Sequence, residues 1–354
     1  MISKMIKTDI IIIGAGPVGL FAVFEAGLLN MKCHLIDILP KPGGQCIELY
    51  PKKPIYDIPA YPEILAGDLI KNLLKQCSQF EPGFTLGERA EKFEKLKDGN
   101  FMITTDKGTR HCAPVVAIAG GLGGFQPRKP NFEGLSNYEN KGVCYFVKDP
   151  KKFKNKNIII SGGGDSALDW TIELSKIAKK VTLVHRRNEF RGALDSVEKV
   201  QELKNKNKIN IITPAEVFNL SGNKKLQHVY VKNGEDQIKV EADYFIPLFG
   251  LTPRLGSISE WGLEIEKNSI VVNNSLDYQT NIPGVFAIGD INTYQGKLNL
   301  ILCGFHEAAL MCQAAFKIIN PNKKYVLKYT TVSGVKGFDG SVKKAQTAVV
   351  KSIK

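Results

Sequence analysis

An α/β chain with two separate parallel sheets is what this sequence predicts. Three observations predict it. A short β-branched run, residues 9–13, ends in Gly14-Ala15-Gly16-Pro17-Val18-Gly19. A second run, Ile158-Ile159-Ile160, ends in Gly162-Gly163-Gly164-Asp165-Ser166-Ala167. After each loop comes a helical apolar pattern and then another apolar strand, at 33–36 and at 181–184. A strand–glycine loop–helix–strand unit closes only as a right-handed crossover between parallel strands, so two units imply two sheets.

The remaining elements follow in order. Residues 87–105 read as a meander of short strands, and 115–119 as an apolar strand running into Gly120-Gly121-Leu122-Gly123-Gly124, a crossover suited to a hinge. Strands are expected at 246–250, 270–272 and 285–288, the last ending in Gly289-Asp290, with a long helix over 300–319. The simplest division places a first domain at 1–119 plus 284–331, a second at 120–283, and a lysine-rich tail at 332–354.

Composition bounds the partners. The chain has 354 residues, 43% hydrophobic and 23% charged, as in ordinary globular proteins. Its 48 basic residues against 35 acidic ones give a net charge of +13. That excess admits nucleic acid, an anionic membrane or an acidic protein as partner, and equally a solvated lysine-rich surface. No aromatic-interleaved basic segment singles out nucleic acid. The seven cysteines form no C-x-x-C pair, which excludes a zinc pattern or a secreted disulfide framework and favours a reducing cytoplasm. The apolar run at 10–24 is broken by glycines and Pro17, and no membrane span is expected.

The glycine loops carry the chemistry. In G-x-G-x-x-G the first glycine makes the tight turn, the second lets backbone approach a pyrophosphate, and the third packs helix on strand. Gly14, Gly16 and Gly19 fill these places in the first loop; Gly162, Gly164 and Ala167 fill them in the second. Asp37 stands twenty-three residues after Gly14, and His185 the same distance after Gly162, followed by Arg186 and Arg187, with Arg191 close by. A carboxylate there accepts ribose hydroxyls and repels a 2′-phosphate, whereas guanidinium groups pair with that phosphate. The first loop therefore suits FAD or NAD, and the second suits NADPH. Where NADPH delivers a hydride, the useful second dinucleotide is FAD.

Together with Gly43-Gly44-Gln45, Leu49-Tyr50-Pro51, Ile55-Tyr56-Asp57-Ile58, Trp261-Gly262-Leu263 and Tyr294-Gln295-Gly296-Lys297, these motifs resemble the two-dinucleotide flavoproteins of the thioredoxin-reductase-like fold. The resemblance covers residues 8–331. Thioredoxin reductases carry a C-x-x-C pair where this chain has only Cys144, so the chain is similar instead to the ferredoxin–NADP reductases of that fold. The resemblance implies two Rossmann-type dinucleotide-binding domains. It implies that Asp37 holds the FAD ribose, that Gly44 and Gln45 lie on the flavin side, and that Tyr50 stacks on the isoalloxazine. It places Ala90 and Phe125 along the adenine and flavin pockets, Asp290 on the ribityl–pyrophosphate region, Tyr329 over the opposite flavin face and Thr331 closing the site. NADPH then falls to Gly162, Gly164, Asp165, Ser166, His185, Arg186, Arg187 and Arg191. The implied partners are ferredoxin or flavodoxin and a second copy of the chain. A reductase of a small disulfide or quinone, or a slow flavin redox sensor, remains an alternative.

Overall fold

A computed structural model gives the architecture and describes residues 5–124, 126–252, 254–273, 276–323 and 335. Contacts divide the chain into two units: residues up to 48 with 53–123 and those from 255 on, and residues 49–52 with 124–254.

In the first unit, β1 (Ile10–Ile13) leads through the glycine loop into α1 (Pro17–Leu28) and then β2 (Cys33–Asp37). All four isoleucines of β1 are buried, as expected for a strand covered on both faces. α2 (Gln45–Glu48) is one short turn, and α3 (Ala66–Ser78) feeds β3 (Gly83–Leu86). The expected meander is β4 (Ala90–Lys95), β5 (Phe101–Thr105) and β6 (Arg110–Ala113), an antiparallel set that residues 6–7 join in parallel. β7 (Val115–Ile118) returns to the main sheet.

The second unit repeats the theme. β8 (Asn157–Ser161), α4 (Asp165–Ser175), β9 (Lys180–Val184), α5 (Leu194–Asn205) and β10 (Ile209–Ile212) run in succession. An antiparallel layer of β11 (Glu216–Ser221), β12 (His228–Asn233) and β13 (Asp236–Glu241) precedes β14 (Tyr244–Pro247). The parallel order is β10-β9-β8-β14. Period two in β8 sends Ile158 and Ile160 into one core with Leu168, Trp170 and Leu183, and Ile159 into another with Phe245 and Val229.

The chain then rejoins the first unit. β15 (Val285–Ala287) completes a parallel sheet in the order β15-β7-β1-β2-β3, and α6 (Ile301–Ile319) lies against α1. The observed divisions, 123/124 and 254/255, differ from the expected 119/120 and 283/284. Residues 255–283 go with the first unit because Trp261 stacks on Phe93 with centroids 5.3 Å apart and its indole N–H donates to the Glu91 carbonyl. Residues 269–271 also pair with 292–293. By length and composition α6 is apolar enough to cross a bilayer. Its inward face nevertheless carries the fully buried Glu307 and packs on protein.

Candidate functional site

The two glycine loops sit at the carboxyl ends of their central strands, where open α/β sheets place ligands. Gly14 has φ +109°, and a Cβ there would lie 2.3 Å from the Ala119 carbonyl oxygen. Gly162 is its counterpart: a Cβ would lie 2.6 Å from the Leu248 carbonyl oxygen. Gly16 and Gly164 are the opposite case, since a Cβ on either meets nothing within 4 Å. They face open space and leave the backbone approachable. Each is also the N-cap of its helix, extended and without a side-chain cap. The first-turn N–H groups and the positive end of the helix dipole are thus presented to an anion. Ser166 lies exposed in the first turn of α4.

The strand ends differentiate the cradles. Asp37, the last residue of β2, is buried, its Oδ2 accepting from Ala15 N–H at 2.6 Å and its Oδ1 from Leu39 N–H at 2.8 Å. Burial raises its pKa and the two N–H groups pull it back down. The carboxylate is therefore pinned beneath the first loop, with lone pairs remaining for further donors. The Glu88 N–H donates to the Asp37 carbonyl, which seats the buried Ala90 close to the same strand end.

At the equivalent place in the second unit the structure separates the three basic residues. The His185 ring is buried under Gly163, where a Cβ would stand 2.3 Å from it, and stacks on Phe190. Its Nε2 lies 3.1 Å from the Glu189 carbonyl oxygen, and burial lowers its pKa, helped by the charges of Arg186 and Arg191. His185 supports the loop from below, and Arg186, Arg187 and Arg191 are exposed. The Arg191 N–H donates to the Gly163 carbonyl at 2.7 Å, tying the arginine loop to the glycine loop. Asp165 acts as a brace, accepting from Ala193 N–H at 2.8 Å.

Other expected residues are placed as follows. Gly43 N–H donates to the Ala15 carbonyl at 2.7 Å, and a Cβ on Gly44 (φ +55°) would stand 3.1 Å from Gly16 Cα, so this turn backs the first loop. Gln45 opens α2, its Nε2 3.4 Å from where a Gly121 Cβ would be. Tyr50 lies in the 49–52 segment that belongs by contact to the second unit, half-buried against the core around Leu168 and Trp170. Phe125, Tyr329 and Thr331 lie outside the described residues.

Asp290 follows β15, and a buried network surrounds it that motif reading missed. Glu307 Oε2 accepts from Gly289 N–H at 2.6 Å and Asn292 Nδ2 at 2.9 Å; its Oε1 accepts from Tyr294 Oη and from Lys297 Nζ. Burial and the Glu307 charge raise the Asp290 pKa, and Lys297 opposes them. The one signal in the sequence is an acid in the middle of an apolar helix, Gly304-Phe305-His306-Glu307-Ala308-Ala309.

All seven cysteines are free, and Cys144 has no disulfide partner. Among the described residues no histidine, cysteine and carboxylate cluster could hold a metal ion.

Fold and site define an oxidoreductase scaffold with two dinucleotide cradles. The chain belongs to the pyridine nucleotide–disulphide oxidoreductase family, whose profile matches residues 8–308. It is 69% identical to a ferredoxin–NADP reductase of Flavobacterium johnsoniae, over 99% of this chain and 100% of that one. It is 51% identical to a ferredoxin–NADP reductase of Mesorhizobium japonicum, over 93% and 96%. Among solved structures it resembles Lactococcus lactis thioredoxin reductase, with TM-score 0.76 and 27% identity over 89% of this chain and 99% of that one.

Proposed function

We propose that this chain is an FAD-containing ferredoxin–NADP reductase, with FAD held by the first unit and NADPH bound by the second. The carrying observation is the pair of matched cradles: a first glycine (Gly14, Gly162) packed on a backbone carbonyl and a second (Gly16, Gly164) facing open space, ending in a pinned carboxylate in one and a rim of arginines in the other. Near-full-length likeness to ferredoxin–NADP reductases supports it.

The residues fit the groups. In the first unit, the space beside Gly16 takes a pyrophosphate, and the α1 N-terminus favours its charge. Asp37 accepts a ribose hydroxyl, and Ala90 lines the adenine side. Gly44, Gln45 and Asp290, all of the first unit, would hold the remainder of FAD. In the second unit, Gly164 and Ser166 meet the pyrophosphate of NADPH. Arg186, Arg187 and Arg191 hold its 2′-phosphate through charge-assisted hydrogen bonds. His185 and Asp165 act through the loop they brace. FAD when bound supplies the chemistry: it accepts a hydride and gives up electrons one at a time. Hydride transfer needs no general base, so the protein's part is to bind, orient and keep water away.

The acceptor is a small acidic carrier. Ferredoxin fits by the relatives, and flavodoxin presents the same kind of surface; a net charge of +13 steers either. With a single cysteine at 144, the second unit lacks the paired thiols that relay electrons to a disulfide. A cytoplasmic homodimer completes the reading. The test is NADPH oxidation by the purified yellow protein with ferredoxin, flavodoxin, a small disulfide or a quinone as acceptor. Turnover dependent on the acidic carrier is expected. Preferential reduction of the disulfide or quinone would replace this reading with the corresponding reductase.

A further inference from the structure

We propose that the buried Lys297–Glu307 ion pair is a positioning clamp for the FAD site, holding the Gly289-Asp290 turn in register with the first glycine loop. The inference rests on the reading of Asp290 as an FAD contact.

The turn is placed beside the loop by the sheet itself. β15 neighbours β7, and β7 neighbours β1, whose end carries Gly14–Gly19. The Ile288 N–H donates to the Ile118 carbonyl, and a Cβ on Gly289 would stand 3.3 Å from Val18 in the first turn of α1. Gly289 has φ +77°, a conformation that leaves its N–H and C=O outside the ladder. The clamp engages both: the N–H donates to Glu307 Oε2 at 2.6 Å, and the C=O, which also accepts from the Asn292 N–H, accepts from Lys297 Nζ at 3.0 Å. The two side chains then close on each other, with Glu307 fully buried and Lys297 8% exposed. Asn292 and Tyr294 fill the other carboxylate positions, and the Lys297 ammonium lies 5.2 Å from the Tyr294 ring centroid.

A buried ion pair is poor value as a stabiliser, because two apolar side chains would pack there without desolvating charge. What it supplies is direction. Four donors converge on one carboxylate, so its position, and through it that of Gly289, is over-determined. It also sets opposite charges around Asp290, one favouring and one disfavouring its ionised form.

The experiment measures FAD affinity by dilution of the full-length holoprotein, read by flavin fluorescence, for Lys297→Met, Glu307→Gln, the double variant and Asp290→Ala. Far-UV thermal melting and the affinity of the second unit for 2′,5′-ADP report whether each variant is folded. Each single clamp variant is expected to weaken FAD about tenfold or more, equivalent to one lost charge-assisted hydrogen bond. Affinity for 2′,5′-ADP is expected to stay unchanged. The double variant, which leaves no unpaired buried charge, should lose less than the product of the singles. It keeps the test open where a single variant does not fold, and FAD affinity within twofold of the parent would then overturn the clamp. Single variants that fold and bind FAD within twofold of the parent, beside an Asp290→Ala that binds weakly, also overturn the clamp. An Asp290→Ala that binds FAD normally removes the reading of Asp290, and the clamp with it.

Discussion

The two cradles share a backbone and differ in what stands at the end of the second strand. In the first unit the strand ends in a carboxylate buried and pinned by two N–H groups. In the second it ends in a buried imidazole that holds up the loop, with guanidinium groups exposed at the rim. The difference teaches how selectivity is divided. The ring and the carboxylate are structural neighbours of their loops, set by burial. In the proposed reading, discrimination against the wrong nucleotide in the second unit falls to exposed arginines. On the same reading, the first site, with its buried and hydrogen-bonded carboxylate, suits a resident group, and the second, with its exposed rim, a substrate that comes and goes.

Changing the buried parts of the comparison should have the largest effects. Gly14→Ala forces a Cβ onto the Ala119 carbonyl at a strained φ, and is expected to cost the first unit about 3–5 kcal/mol. Gly162→Ala should do the same to the second unit. Thermal melting of the two variants, with FAD and 2′,5′-ADP binding as separate readouts, checks that each loss stays in its own unit.

Acid should have the next largest effect, through the first unit. There, Thr85 Oγ1 lies between His34 Nε2 at 2.8 Å and His111 Nε2 at 2.9 Å. Burial, aided by His34, lowers the His111 pKa from its ordinary 6.5 to about 4, and burial lowers that of His34 as well. A histidine kept neutral in the folded state takes up its proton first in the unfolded chain. Its stabilisation is complete above about 6.5 and is lost as pH falls towards 4, up to about 3 kcal/mol for His111. Melting temperature against pH for the parent and His111→Gln checks this: the parent should fall more steeply between those limits.

The exposed arginines come third. Arg186→Ala with Arg187→Ala should reduce the preference for NADPH over NADH about 100-fold, roughly 3 kcal/mol shared between two charge-assisted contacts, with melting unchanged. Steady-state kcat/KM with both coenzymes is the check. The smallest effect on stability belongs to Gly16→Ala and Gly164→Ala, whose Cβ meets nothing. Each should melt within about 0.5 kcal/mol of the parent, while weakening only the dinucleotide of its own unit.

How far the sequence could be read depends on the range of the interaction. Loops, crossovers and ribose-end residues obey local rules of spacing, so Gly14, Asp37, Gly162 and Arg186 were legible as a set. His185 was legible as a position, but the direction of its ring was not, because a strand-end residue can turn inward or outward and only packing against Gly163 and Phe190 decides. Tyr50 was read as a flavin neighbour; that its segment sides with the second unit depends on tertiary contacts that no motif encodes. The second boundary was placed too late for the same reason, since Trp261 finds Phe93 across a long stretch of chain. The Lys297–Glu307 pair joins a loop to a helix through Gly289, and its one trace was an acid in an apolar helix.

The central claim is one chain with two nucleotide sites of opposite selectivity. Anaerobic titration of the purified protein with NADPH and with NADH, followed in the flavin absorbance, tests it most directly. The account predicts a yellow protein that bleaches with about one equivalent of NADPH and needs a large excess of NADH. A colourless protein that takes up no FAD, or equal bleaching by both coenzymes, would contradict it.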